Sequence, residues 1–233
     1  MQDPVVVKPT EKHTATVIFL HGLGDTGHGW ATTIAAIRPP YAKVICPTAS
    51  SMPVTLNSGF RMPSWFDLYS LDENGPEDSE GILAATNVCN KLIADELSNI
   101  PTNRIVLGGF SQGGALALHA AMVCPDKLAA VMALSCWFPR HSHFPQELKP
   151  DRGDLPVFLA HGDCDPVVPF KWGQMSGTFL KSFMSNVEFK SYHGLTHGPS
   201  ESELNDMKGF LQRVLPLHTE CKVYKLAYKL HTH

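Results

Sequence analysis

Ser111 stands at the centre of Gly109-Phe110-Ser111-Gln112-Gly113, a G-x-S-x-G pattern. A β-branched run (Ile105-Val106) precedes it and an Ala/Leu-rich run (Ala115 to Leu118) follows, so the pattern reads as a strand-to-helix turn. That is the setting of a nucleophile elbow. So tight a turn excludes bulk two residues before and after the serine. It also holds the hydroxyl at a helix N-terminus, where negative charge is favoured. The pattern alone fits an ordinary Gly/Ser turn as well, so the reading needs partners.

A serine hydroxyl is a poor nucleophile without a base, and the base needs an orienting acid. In hydrolases built around such an elbow the chain order is Ser, acid, His. After the apolar run Val157 to Ala160 come Asp163 and Asp165, both at the C-terminal end of a strand, where open α/β sheets place ligands. After Val187 to Tyr192 come His193 and His197. Position in the loop ahead of the last helix favours His197, leaving His193 to pack near the strand; Asp165 is favoured over Asp163. Acyl transfer also develops an oxyanion that needs preorganised donors. Gln112 offers its backbone N–H directly after the serine. The loop His21-Gly22-Leu23-Gly24 after the first strand offers that of Leu23. A Gly-rich turn with no such role is the plainer reading of that loop.

These groups need a sheet edge to meet on. Near-continuous apolar runs (Thr14 to Leu20, Lys43 to Cys46, Ala129 to Leu134, Val157 to Ala160) alternate with helical patterns. That alternation predicts an α/β fold with a mostly parallel sheet and helices on both faces. Helices are expected around Trp30 to Ile37, from a cap at Asp78 or Ser79 through Leu97, after Ser111, and over Glu201 to Leu215. Val187 to Tyr192 alternates as an edge strand does. No repeat or linker divides the chain, and the expectation is one domain over 14–216 with an N-terminal segment 1–13 and a mobile tail 217–233.

Composition narrows the function classes. Of 233 residues, 43% are hydrophobic and 18% charged, as in ordinary globular chains. A net charge of −3 gives no basic footprint for nucleic acid. No apolar run approaches a membrane span, and the first residues lack the layout of a signal peptide. The six cysteines form no C-x-x-C pair and no metal-ligand spacing, so reduced, mostly buried thiols in the cytoplasm are expected.

Five segments together resemble a known family: F-L-H-G-L-G-D-T-G-H-G-W (Phe19 to Trp30), M-P-S-W-F-D (Met62 to Asp67), G-G-F-S-Q-G-G-A (Gly108 to Ala115), A-L-S-C-W (Ala133 to Trp137) and H-G-D-C-D-P (His161 to Pro166). From about Ala15 to Pro216 the chain is similar to the acyl-protein thioesterase/lysophospholipase family of small α/β-hydrolases. The resemblance implies Ser111 as nucleophile, Asp165 as acid, His197 as base, and Leu23 and Gln112 as oxyanion donors. It implies hydrolysis of long-chain acyl thioesters on S-acylated proteins and of acyl esters of lysophospholipids, with no cofactor and no metal. Position 2, a cysteine that is itself acylated in some members, is Gln2 here.

From about Thr48 to Glu77 the chain has little periodicity but many large apolar residues. Lifting a palmitoyl chain from a bilayer costs ~0.8 kcal/mol per methylene, ~12 kcal/mol for about 15 of them, unless apolar surface replaces the lipid. Leu68 and Leu71, with Trp137 and Val167 near the sheet edge, are the candidate lining of an acyl channel. Trp65 and Phe66 fit the channel lining and simple packing of the core equally well. The tail Cys221 to Leu230 would set Lys222, Lys225 and Lys229 on one helical face, a weak membrane-surface contact. The expected assembly is a monomer or weak homodimer with transient membrane contact. Rival readings are a carboxylesterase for short soluble esters and a hydrolase-fold binding protein of negligible turnover.

Overall fold

The computed structural model describes residues 2–72 and 75–217. Residues 218–233 lie outside it, and with them the basic face of the tail and Cys221. The strands are β1 (Val5–Val7), β2 (Ala15–Leu20), β3 (Ala42–Cys46), β4 (Ser51–Val54), β5 (Phe60–Pro63), β6 (Ile105–Phe110), β7 (Ala130–Leu134), β8 (Val157–Gly162) and β9 (Val187–Tyr192). The helices are α1 (Gly27–Ile37), α2 (Ser79–Glu96), α3 (Gln112–Val123), α4 (Phe170–Lys181) and α5 (Glu201–Val214).

Seven strands form one sheet in the order β1-β3-β2-β6-β7-β8-β9. Every neighbouring pair is parallel except β1 on β3. The chain builds outward from β2 to β3 on one side and from β6 to β9 on the other. The strand order therefore reverses between β2 and β6, the place where such sheets open a crevice at their C-terminal ends. The loop after β2 carries Leu23 and the turn after β6 carries Ser111.

Successive side chains of a strand point to opposite faces, and β2 shows what that demands of a central strand. Val17 and Phe19 join Trp30 and Ile34 of α1 and Met207 and Phe210 of α5 in one core. Ile18 and Leu20 join α2, α3 and α4 in the other, through Ile82, Leu116 and Leu180. A strand covered on both faces has no polar side, which is why β2 and β8 are buried at every residue. Asp78 starts α2 by accepting the Gly81 N–H, and Ser200 starts α5 by accepting the Glu203 N–H.

Three elements differ from expectation. Val5–Val7, within the segment set apart at the N-terminus, pairs antiparallel with β3 and extends the sheet. Inside the supposedly irregular stretch, β4 and β5 form a separate hairpin, turned at Ser58 and Gly59 with positive φ. Helix α4 follows β8 with no periodic signal ahead of it. Its Gly173 faces the His161 ring and its Gly177 faces Phe189, and a Cβ on Gly173 would stand 2.3 Å from His161 Nδ1. Close packing required the two glycines that hid the helix. Cys46, Cys89, Cys124 and Cys136 are buried free thiols, and Cys164 is exposed.

Candidate active site

The turn after β6 is as tight as its glycines imply. A Cβ on Gly109 would lie 2.3 Å from the Gly113 carbonyl, and one on Gly113 would lie 2.4 Å from the Leu20 carbonyl oxygen. Ser111 itself has φ 53° and ψ −122°, a backbone region that glycine adopts and other residues rarely do. Its surroundings enforce this: the Ser111 N–H donates to Leu134 O at 2.8 Å, and Ser111 O accepts from Ala115 at 3.0 Å.

The loops after β8 and β9 are knitted together. Asp163 N–H donates to Tyr192 O and Cys164 N–H to Leu195 O, both at 3.1 Å. Gly162 permits this approach, since a Cβ there would meet Leu195 O at 2.2 Å. The result separates two carboxylate–imidazole pairs. His197 Nδ1 lies 2.7 Å from Asp165 Oδ2, with the side chain of His197 16% exposed and that of Asp165 fully buried. His193 Nδ1 lies 2.8 Å from Asp163 Oδ2, but the His193 side chain is 98% exposed, so it does not pack against the strand as expected. The His197 ring packs at a tilt of 47° against Phe110, the residue before Ser111, at 4.6 Å between centroids. Phe110 in turn packs against Trp30 at 5.1 Å, which seats the imidazole on an aromatic base.

Asp165 is the most heavily hydrogen-bonded carboxylate of the site. Its Oδ1 accepts the N–H groups of Val167 (2.8 Å) and Val168 (2.9 Å). Its Oδ2 faces His197 and, at 3.4 Å, Nε2 of His161. His161 Nε2 also donates to Val168 O at 2.8 Å. Burial alone would raise the Asp165 carboxyl, but donors from His161, His197 and Val167 outweigh it and hold the group well below the usual carboxylate range. It is therefore a fixed negative charge behind the His197 ring. His161 is a contributor that residue spacing did not reveal; its place one turn of chain before Asp165, in His-Gly-x-x-Asp, is the signal that was available.

The loop after β2 is set by another histidine. Ala49 N–H donates to His21 Nε2 at 3.0 Å, so Nε2 is unprotonated and the proton sits on Nδ1, which donates to Gly22 O at 2.6 Å. Burial lowers the His21 pKa, with the Gly22 carbonyl and Asp25 opposing, in keeping with a neutral ring. Gly22 C=O and Leu23 N–H belong to one planar peptide and point in opposite directions. Anchoring that carbonyl on the imidazole fixes where the Leu23 N–H points. Neither Leu23 N–H nor Gln112 N–H has an acceptor among the described residues.

The Gln112 side chain is buried and does separate work. Its Oε1 accepts Trp65 N–H (3.1 Å), and its Nε2 donates to Ser64 Oγ (2.9 Å) and Phe66 O (2.8 Å). Behind that segment lies a cavity of about 490 Å³, walled by Phe66, Leu68, Leu71, Trp137, Trp172 and Phe179 among others. Ser111, Leu23 and His197 do not line it; the Gln112 clamp on Phe66 is the link between them. Leu68, Leu71 and Trp137, the candidate acyl-channel residues, are in its wall. Val167 is not. It is 49% exposed, because its loop turns the backbone N–H inward to Asp165 and leaves the side chain to solvent.

On α5, Glu203 is 1% exposed and its Oε1 has no partner among the described residues. Burial pushes its carboxyl up to about 7, against opposing effects of the Ser200 backbone and His161. Among the described residues no group of three or more His, Cys, Asp and Glu side chains is arranged to hold a metal ion. No helix there is long and apolar enough to cross a membrane.

Comparison with known proteins agrees with this architecture. The family described as Phospholipase/Carboxylesterase matches residues 1–215. An acyl-protein thioesterase 1 of Neurospora crassa is 42% identical over 225 residues, 91% of this chain and 92% of that protein. One from Cryptococcus neoformans is 42% identical over 228 residues, 90% of this chain and 96% of its own length. The crystal structure of an acyl-protein thioesterase 2 from Zea mays superposes with a TM-score of 0.87 at 35% identity, covering 92% of this chain and 100% of that one.

Proposed function

The chain belongs to the phospholipase/carboxylesterase family of α/β-hydrolases, and on that premise we propose that it is a serine thioesterase. Its substrates are S-acylated proteins, from which it removes long acyl chains, and the acyl esters of lysophospholipids. The observation that carries this reading is the buried Asp165 carboxylate holding His197 at 2.7 Å beside the strained Ser111 turn. The names of the relatives support the thioester as the bond cleaved.

In the proposed cycle His197 takes the Ser111 proton as Oγ attacks the thioester carbonyl. Asp165 keeps the imidazole in the Nδ1–H tautomer and stabilises the imidazolium. Leu23 and Gln112 N–H groups receive the oxyanion. The C–S bond then breaks, and the departing thiolate takes up the proton held by His197, which returns the imidazole to its neutral, basic form. His197 activates a water that releases the fatty acid and restores Ser111. The cavity behind Phe66 takes the acyl chain, its Phe66, Leu68, Leu71, Trp137 and Phe179 side supplying the apolar surface that offsets removal from lipid. The proposed setting is the cytoplasm, with transient contact at membrane surfaces.

A fluorophosphonate probe, followed by turnover of a palmitoyl-thioester peptide, lysophosphatidylcholine and a short aryl ester, tests this. Labelling at Ser111 with preference for the palmitoyl thioester is the expected result. Preference for the short ester would replace the reading with a soluble carboxylesterase, and labelling without turnover would leave a binding protein.

A further inference from the structure

Trp65 lies in the wall segment of the cavity, yet its indole turns away from the cavity and onto the loop after β2. Its Nε1–H donates to His21 O at 2.8 Å, and its ring packs 5.0 Å from the His21 imidazole. On either side of it, Ser64 and Phe66 are held by the Gln112 side chain, and Ser64 Oγ also donates to Phe66 O at 2.6 Å. The next residues of the same segment, Phe66 and Leu68, form the cavity wall. One short stretch of chain therefore touches three things at once: the space for an acyl chain, the residue after Ser111, and the peptide leading to Leu23.

We propose that Trp65 is a positioning residue that transmits occupancy of the cavity to the two oxyanion donors, so that acyl-chain length is read in kcat rather than only in KM. The inference rests on the thioesterase reading above. An acyl chain in the cavity presses on Phe66 and Leu68. That load is carried through the Trp65 indole to His21 O and through Gln112 to the start of α3. Methylenes remote from the reacting carbonyl thereby hold the Leu23 and Gln112 N–H groups where the oxyanion forms. Binding energy expressed that way accelerates the chemical step, whereas equal binding of ground and transition states would lower KM alone.

The test is steady-state hydrolysis of acetyl, octanoyl and palmitoyl thioesters of one peptide by the wild-type chain, Trp65→Phe and Ser64→Ala. Phenylalanine keeps most of the ring contact and removes the Nε1–H donor. In the wild type, kcat should rise about tenfold or more from acetyl to palmitoyl, roughly the worth of one buried hydrogen bond. In Trp65→Phe that ratio should collapse to within about twofold of unity, with KM for palmitoyl within about threefold of wild type. A purely structural role would lower the active fraction equally for all lengths and leave the ratio as in the wild type, which would overturn the proposal. So would a wild-type kcat independent of length. If Trp65→Phe does not fold, Ser64→Ala, which removes one of the two acceptors of Gln112 Nε2, decides by the same ratio. A folded wild type that turns over none of the thioesters would overturn the thioesterase reading itself; a preserved ratio in the variants overturns this inference alone.

Discussion

His197 and Asp165, 32 residues apart in the chain, meet Nδ1 to Oδ2 at 2.7 Å, while a near-copy of the pair, His193 with Asp163, sits beside them in solvent. Both pairs bridge the loops after β8 and β9, and both carboxylates accept a backbone N–H on the other oxygen. Asp165 is fully buried and accepts two, from Val167 and Val168, whereas Asp163 is part exposed and accepts one, from Gly194. An orienting acid must be held by the protein rather than by water, and on that difference the proposed mechanism takes Asp165 as the acid.

Asp165→Asn should therefore lower kcat by about 10⁴ while the protein stays folded, because the amide favours the wrong imidazole tautomer. Asp163→Asn should leave kcat within about threefold, since the exposed pair it disrupts is worth little. Steady-state rates of the two variants, with circular dichroism to confirm folding, check both halves. Equal losses would mean the assignment of the acid is wrong.

Ser111→Ala should reduce kcat on the order of 10⁶ and abolish fluorophosphonate labelling. Single-turnover measurement with the palmitoyl thioester gives the number. Turnover near the wild-type rate would show that another group forms the acyl intermediate.

Leu71, half-buried in the cavity wall, should not tolerate charge once an acyl chain must pass it. Leu71→Asp is expected to lower kcat/KM for a palmitoyl thioester by roughly 100-fold through the cost of an apolar chain against a desolvated carboxylate. The acetyl thioester should lose far less. Parallel losses on both substrates would remove Leu71 from the acyl path.

Glu203 sets a pH dependence of stability. Its carboxyl is raised to about 7 in the fold, above the ordinary glutamate value of 4.5, so the unfolded chain ionises first. Stability from this group is fully present below about pH 4.5, falls as pH rises towards 7, and is level beyond. The fall is at most about 3 kcal/mol. Glu203→Gln should lack it, so the melting temperature of the variant relative to the wild type should climb between pH 4.5 and 7. Thermal unfolding across that range is the measurement, and a constant offset would count against the buried-carboxylate account.

Much of the frame was readable from residue order, because a strand buried on both faces must be apolar along most of its length, and β7 is so throughout while β2 and β8 each carry one polar residue, Thr16 and His161. The elbow and the two acid–histidine alternatives were readable too, since each sits where a strand ends. What escaped notice depends on partners distant in the chain. Pro53 and Pro63 made β4 and β5 look irregular, as proline does in edge strands. Glycines 173 and 177 weakened the helical pattern of α4 for the sake of His161 and Phe189. The tautomer of His21 follows from Ala49, and the purpose of the Gln112 amide from Ser64, Trp65 and Phe66. No local pattern in either neighbourhood encodes those partners. Val167 looked like channel lining because it is apolar and near Asp165, yet its side chain is exposed and outside the cavity wall, and its main-chain N–H is what meets Asp165.

The conformation of Ser111, tolerated readily by glycine alone, has a consequence for how this chain could evolve or be engineered. A residue with a Cβ in such a region carries a penalty of about 1–3 kcal/mol. Screens that reward heat resistance without demanding turnover should drift towards glycine at 111 and arrive at tougher, silent proteins. Directed evolution of this scaffold must therefore select on product formed, since survival at high temperature pulls the other way at the position proposed as the nucleophile.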